Sequence, residues 1–207
     1  MDHAKQIDAS NSNRFWKEAF DKEIANVAFA FEILYEVKPA PIAWTKDSGH
    51  LVFDVKMDFT RKARWVKYGH RTADPENSTF FGFVSQERYR IAFTYAKLNG
   101  LDVTADDIKN AYLQAPSSET NYVICIAKFG LENIGKISLI RRALYRGKSI
   151  GADVWKHCWS CMTHLGFTPC KADPGIWIRE AHKYDVTPFW EYILLYDDHA
   201  LVISNRV

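Results

Sequence analysis

The sequence has no unbroken apolar run approaching eighteen residues, so no segment reads as a membrane-spanning helix. Cysteine is scarce, four in 207 residues, and the amino-terminal stretch lacks the pattern of a secretory leader. That pair of absences excludes a disulfide scaffold and fits a reducing, intracellular compartment, cytoplasmic or nuclear, rather than secretion. Net charge is nearly missing too: 27 Lys and Arg against 25 Asp and Glu leave +2, so bulk charge alone does not announce a nucleic-acid binder. Neither an internal repeat nor a low-complexity linker is visible. What remains is 47% hydrophobic, 25% charged and 14% aromatic, with seven Trp. Such a composition excludes a disordered or collagen-like chain. The length suits one large domain or two small ones, with a core of real size.

Hydrophobic spacing divides the chain into mixed elements. Residues 1–13 read as a loose leader. A helix capped by Ser12 or Asn13 carries Phe15, Trp16, Ala19, Phe20, Ile24, Val27 and Phe31 at helical spacing, and Pro39 and Pro41 end the segment. From Leu51 the period changes to two, which is the mark of a half-buried strand. Residues 58–61 read as a turn and 62–68 as a returning strand. A loop rich in Asp, Pro, Asn and Ser covers 72–79. Ser85 stands where a helix would be capped and Gly100 where it would close, around the face Ile91, Ala92, Tyr95 and Leu98. Strands are predicted at about 101–108, 121–127 and 136–142, and a helix at 152–165 ending at Gly166. Two last strands, about 189–196 and 199–204, flank Asp197-Asp198 as a tight hairpin. Helices and strands interleave without strict alternation, so the predicted class is α+β.

Two adjacent carboxylates at a hairpin tip repel each other unless something positive lies beside them. A solvated acidic turn is the plain reading of Asp197-Asp198. The chemical reading is a divalent-metal site, because Mg²⁺ takes one or two carboxylates together with substrate phosphates. A further carboxylate would have to come from elsewhere, and Asp106-Asp107 is the obvious source. Neighbouring strand residues point to opposite faces, so only one of that pair can serve.

The run Asp107-Ile108-Lys109-Asn110-Ala111-Tyr112-Leu113-Gln114-Ala115-Pro116 resembles the first catalytic motif of reverse transcriptases. Tyr196-Asp197-Asp198-His199 lies where their second motif belongs, with a helix between the two. More specifically, the chain resembles copia-type retrotransposon polymerases. That likeness rests also on Lys62-Ala63-Arg64, on Ala143-Leu144-Tyr145 with Lys148, and on Leu165-Gly166-Phe167 followed by Lys171-Ala172-Asp173-Pro174. It runs from about residue 14 to the end.

The resemblance implies a partial reverse-transcriptase domain over 14–207: fingers over about 14–100, and over about 101–207 a palm whose antiparallel sheet is backed by helices. The thumb is absent and the chain reads as a polyprotein fragment. It also implies template-directed transfer of a deoxynucleotide to a primer 3′-hydroxyl, with two Mg²⁺ or Mn²⁺ ions roughly 3.5–4 Å apart at the motif carboxylates. Asp107, Asp197 and Asp198 are then the catalytic, metal-binding residues. Tyr112 matches the aromatic beneath the incoming sugar, and Arg64, with Lys62 or Lys56, the cations that clamp the triphosphate. The implied partners are an RNA or DNA template-primer, deoxynucleoside triphosphates and other parts of the element's polyprotein, with no membrane.

One departure bears on activity. The family's second motif reads Tyr-x-Asp-Asp. Without a gap, Asp197 fills the variable place, Asp198 is the first carboxylate and His199 replaces the second. The alternative alignment deletes the variable residue and makes Asp197-Asp198 the pair. Both predict impairment, and a dead remnant that at most binds nucleic acid or a partner chain is the second hypothesis. Two decoys fall away. His157, Cys158, Cys161, His164 and Cys170 match no structural zinc spacing. Gly147-Lys148-Ser149 lacks the earlier Gly of a phosphate loop, because Arg142 stands there.

Overall fold

The computed structural model describes residues 2–35, 39–69, 82 and 84–205; the loop read at 72–79 lies outside them. In chain order the elements are α1 (Asp2–Ser10), α2 (Phe15–Val27), β1 (Phe31–Ile33), β2 (Thr45–Lys46), β3 (Gly49–Val55) and β4 (Arg61–Lys67). There follow α3 (Gln86–Asn99), β5 (Asp102–Asp107), α4 (Ala111–Gln114), β6 (Asn121–Ile124), β7 (Ile137–Ile140) and α5 (Ile150–His164). The chain closes with β8 (Thr168–Cys170), β9 (Asp173–His182), β10 (Pro188–Tyr196) and β11 (His199–Ser204). The class is α+β, with three separate sheets among the described residues. No helix among the described residues is long and apolar enough to cross a membrane.

Two compact units share the chain: residues 1–79 with 112–153, and 80–111 with 154–207. The first unit holds a four-stranded sheet in the order β1-β7-β6-β2 and the β3–β4 hairpin. Its core gathers Val27, Ala30, Phe31, Trp65, Leu113, Val123, Ile140 and Leu144. The helical spacing that includes Phe31 predicts a longer helix than the one observed. Instead α2 ends at Val27, a 3₁₀ turn covers Ala28–Ala30, and Phe31 turns extended to pair with Ile140. Its ring meets Trp65 and Phe129 edge to face at 5.2 and 4.9 Å. Sheet pairing and aromatic burial outweigh a helical spacing that carries little energy of its own.

The expected loose leader contains a helix, and that helix supplies the cap of the next. Asp8 is buried, and its two carboxylate oxygens accept the Trp16 and Lys17 N–H groups at 3.1 and 2.9 Å. Those are orphan donors of the first turn of α2, where a negative charge also suits the helix dipole. Of the residues expected to cap it, Asn13 accepts only a long 3.4 Å bond from Phe15.

A five-stranded antiparallel sheet, ordered β5-β11-β10-β9-β8, forms the centre of the second unit. One face carries Ile176, Leu194, Leu201 and Ile203 against Ala92 and Ala96 of α3. The other carries Trp177, Ile193, Leu195 and Val202 against Cys158 and Met162 of α5. This is a helix–sheet–helix sandwich in which alternate residues of each strand serve opposite layers. Gly100 closes α3 in the left-handed region at φ 59, as its position predicts. Ser85 sits at the N-cap, though its hydroxyl makes no capping bond.

Candidate metal centre

The last hairpin is built as its flanking apolar runs predict. Tyr196 and His199 face each other across a two-residue turn, in which Asp197 takes φ 55. Positive φ at the first turn position matches the right-handed twist of the strands and is tolerated by Asp better than by most residues. On its other side β11 pairs with β5, so that His199 lies directly opposite Asp107 and Ala200 opposite Asp106. The Ile108 N–H donates to the Asp198 carbonyl at 2.6 Å and ties the turn to the end of β5.

Cross-strand partners share a face, so Asp107 and His199 continue the face packed by α3 while Asp106 belongs to the opposite one. Of the two adjacent carboxylates, Asp107 is therefore the one turned towards the hairpin. His199 stands between two acids: its Nδ1 is 2.8 Å from Asp198 Oδ1 and its Nε2 is 4.0 Å from Asp107 Oδ1. One ligand atom from each of the three residues falls within 4.8 Å of the others. Asp197 is not a member of this group. The site is open: the Asp107 and His199 side chains keep 70% and 65% of their exposure.

The other predicted residues lie in the first unit. Arg64 and Lys62 sit on alternate positions of β4, where Arg64 is 3.6 Å from Asp54 Oδ2 on the paired strand. Both cations also bear on Glu23, whose pKa is raised by burial despite a 2.7 Å hydrogen bond from the Trp65 N–H. Lys56 is exposed at the hairpin turn, its carbonyl accepting the Phe59 N–H. Tyr112, on α4, packs against Tyr145 with ring centroids 5.5 Å apart, so the first motif and the Ala143-Leu144-Tyr145 motif meet.

The cysteines behave as core and surface residues. All four are thiols; Cys158 packs beneath the sheet and burial pushes its pKa up to about 11, which leaves it inert. Cys161 lies 3.8 Å from His157 on an exposed helix face. The phosphate-loop decoy has a structural use: the Ser149 N–H donates to Glu119 at 2.8 Å. Glu119, which sequence reasoning passed over, is a hub. It also accepts Lys67 Nζ at 2.6 Å and the Asn121 amide at 2.8 Å, and Lys67 Nζ lies 3.4 Å from Asp47.

No protein-family model matches the chain, and no curated protein gives a significant match to it.

Proposed function

We propose that the chain is the fingers-and-palm region of a copia-type RNA-directed DNA polymerase, which adds deoxynucleotides to a primer 3′-hydroxyl on an RNA or DNA template. The observation that carries this reading is the meeting of Asp107 and Asp198. They come from two motifs far apart in sequence and stand together at one end of an antiparallel sheet with helices on both faces. The meeting of Tyr112 with Tyr145 supports it from a second pair of motifs.

The donor set fits a divalent ion: two carboxylates and an imidazole, each offering an atom within 4.8 Å of the others. Carboxylate oxygens suit Mg²⁺ and Mn²⁺, and the imidazole nitrogen favours Mn²⁺. Bound divalent ions supply charge neutralisation at the triphosphate and lower the pKa of a bound hydroxyl. Asp107 and Asp198 hold that charge in place. The resemblance gives Arg64, with Lys62 and Lys56, the role of triphosphate cations and Tyr112 that of the ring beneath the sugar. Catalysis of this kind is mostly positioning and electrostatics.

The test is Mn²⁺- or Mg²⁺-dependent primer extension on an RNA template, with Asp107→Asn as control. Extension that disappears in the variant supports the reading. His199, at the place of a family carboxylate, favours a second reading: a remnant that binds nucleic acid without synthesis. Folded protein that binds template-primer in a salt-dependent way and extends nothing would favour that one.

A further inference from the structure

We propose that a cavity in the first unit, between α1, α2 and β3, binds one nucleotide, with its base among aromatic rings and its phosphate on two cations. The cavity measures about 390 Å³ and is walled by Trp16, Phe20 and Phe53, with Lys5 and Arg14 among its lining residues. That volume lies within the range of small-molecule sites, roughly 300–1,000 Å³, which are largely apolar with a few placed polar groups. Trp16 and Phe53 meet edge to face at 5.6 Å, which fixes both rings against each other. Every base offers a π face, so such walls accept a base without choosing among them.

The charges decide what kind of aromatic molecule fits. Besides Lys5 and Arg14, four charged residues lie at or beside the cavity, and each is already engaged. Asp8 spends both oxygens on the Trp16 and Lys17 N–H groups. Lys17 and Asp21 pair with each other along the helix. Arg61 lies over the Trp16 ring at 5.6 Å. The side chains of Lys5 and Arg14 make no hydrogen bond or ion pair among the described residues. Two uncommitted cations beside an aromatic cavity match a flat ring system that carries an anion, and Arg is suited to phosphate oxygens. An uncharged aromatic would leave the cations unused, and a bare phosphate would leave the rings unused. Lys5 and Asp8 come from α1, ahead of the segment that resembles polymerases, so the site does not rest on that reading.

Isothermal titration calorimetry of the whole chain in EDTA tests this, with AMP, adenosine, inorganic phosphate and a short 5′-phosphorylated oligo(dT) as probes. The chelator removes any contribution from a metal centre. Expected is binding of AMP or of the oligonucleotide, at least tenfold weaker for adenosine and for phosphate alone. Binding of AMP assigns the site to free nucleotides, and binding of the oligonucleotide alone assigns it to a strand end. A Lys5→Glu, Arg14→Glu double variant, altered only at the surface, should lose at least tenfold, while Asp107→Asn should bind as the parent does. Failure of both AMP and the oligonucleotide, or undiminished binding by the double variant, overturns the proposal. A failure of primer extension would leave it untouched.

Discussion

His199 stands directly across the ladder from Asp107, and its second ring nitrogen is turned to Asp198. In the proposed metal centre, an imidazole in that place would add a nitrogen donor to two carboxylates and set the metal preference. Oxygen-only donor sets suit Mg²⁺, whereas imidazole draws transition ions. The parent protein should bind Mn²⁺ more tightly than Mg²⁺ by at least tenfold, as read by calorimetry. His199→Asp should narrow that gap and raise Mg²⁺ affinity. A preference unchanged by the substitution would remove His199 from the donor set.

Asp8 joins two helices that the sequence does not link. Replacing a capping carboxylate by Ala typically costs about 0.5–2 kcal/mol, and Asp8→Ala leaves two N–H groups of α2 without their acceptor. Urea denaturation should show a loss in that range. Because Asp8 also lines the aromatic cavity, nucleotide binding there should weaken with it.

The elements legible in the sequence are those whose signal is local. Gly100 can close α3 because only its own φ is at stake, and the Asp197-Asp198 hairpin is announced by the apolar runs on both sides. Asp107 and Asp198 could be picked out by a family likeness. Their meeting needs the β5–β11 register, which no window of sequence contains. The same limit hides Asp8, whose partners lie in another helix, and it makes Phe31 look helical. Glu119 sits in a turn among polar residues, and nothing local says that a buried lysine from β4 will reach it.

Among the described residues of the first unit Lys67 is the most deeply buried cation, 2% exposed as a side chain, with Glu119 at 2.6 Å and Asp47 at 3.4 Å. Removing one member of a buried ion group strands the others, at a cost of about 3–5 kcal/mol. Lys67→Met should therefore destabilise strongly in denaturant titration. Adding Glu119→Gln to it should cost less than the two single losses together, because the acid that Lys67 neutralised is gone. Simple additivity would show that Lys67 acts through its packed stem and not its charge.

Glu119 also makes stability depend on pH with a defined sign. Burial alone would raise its pKa, but the hydrogen bond and charge of Lys67, the Ser149 N–H and the Asn121 amide prevail and hold it below the ordinary value of 4.5. A carboxyl whose folded pKa is depressed contributes stability that is complete above its unfolded pKa and is lost as pH falls through the folded one. Glu23 runs the other way: burial raises its pKa, so its contribution is largest in acid and is lost as pH rises above 4.5 towards its folded value. Between pH 7 and pH 3 the parent should lose stability through Glu119, partly offset by Glu23. Glu119→Gln should be less stable than the parent at pH 7, with a gap that narrows as pH falls below 4.5, whereas Glu23→Gln should steepen the acid loss. Denaturant midpoints at pH 7, 5 and 3 for the three proteins decide it. A Glu119→Gln deficit that stays constant across that range would mean that the hub works by hydrogen bonding alone.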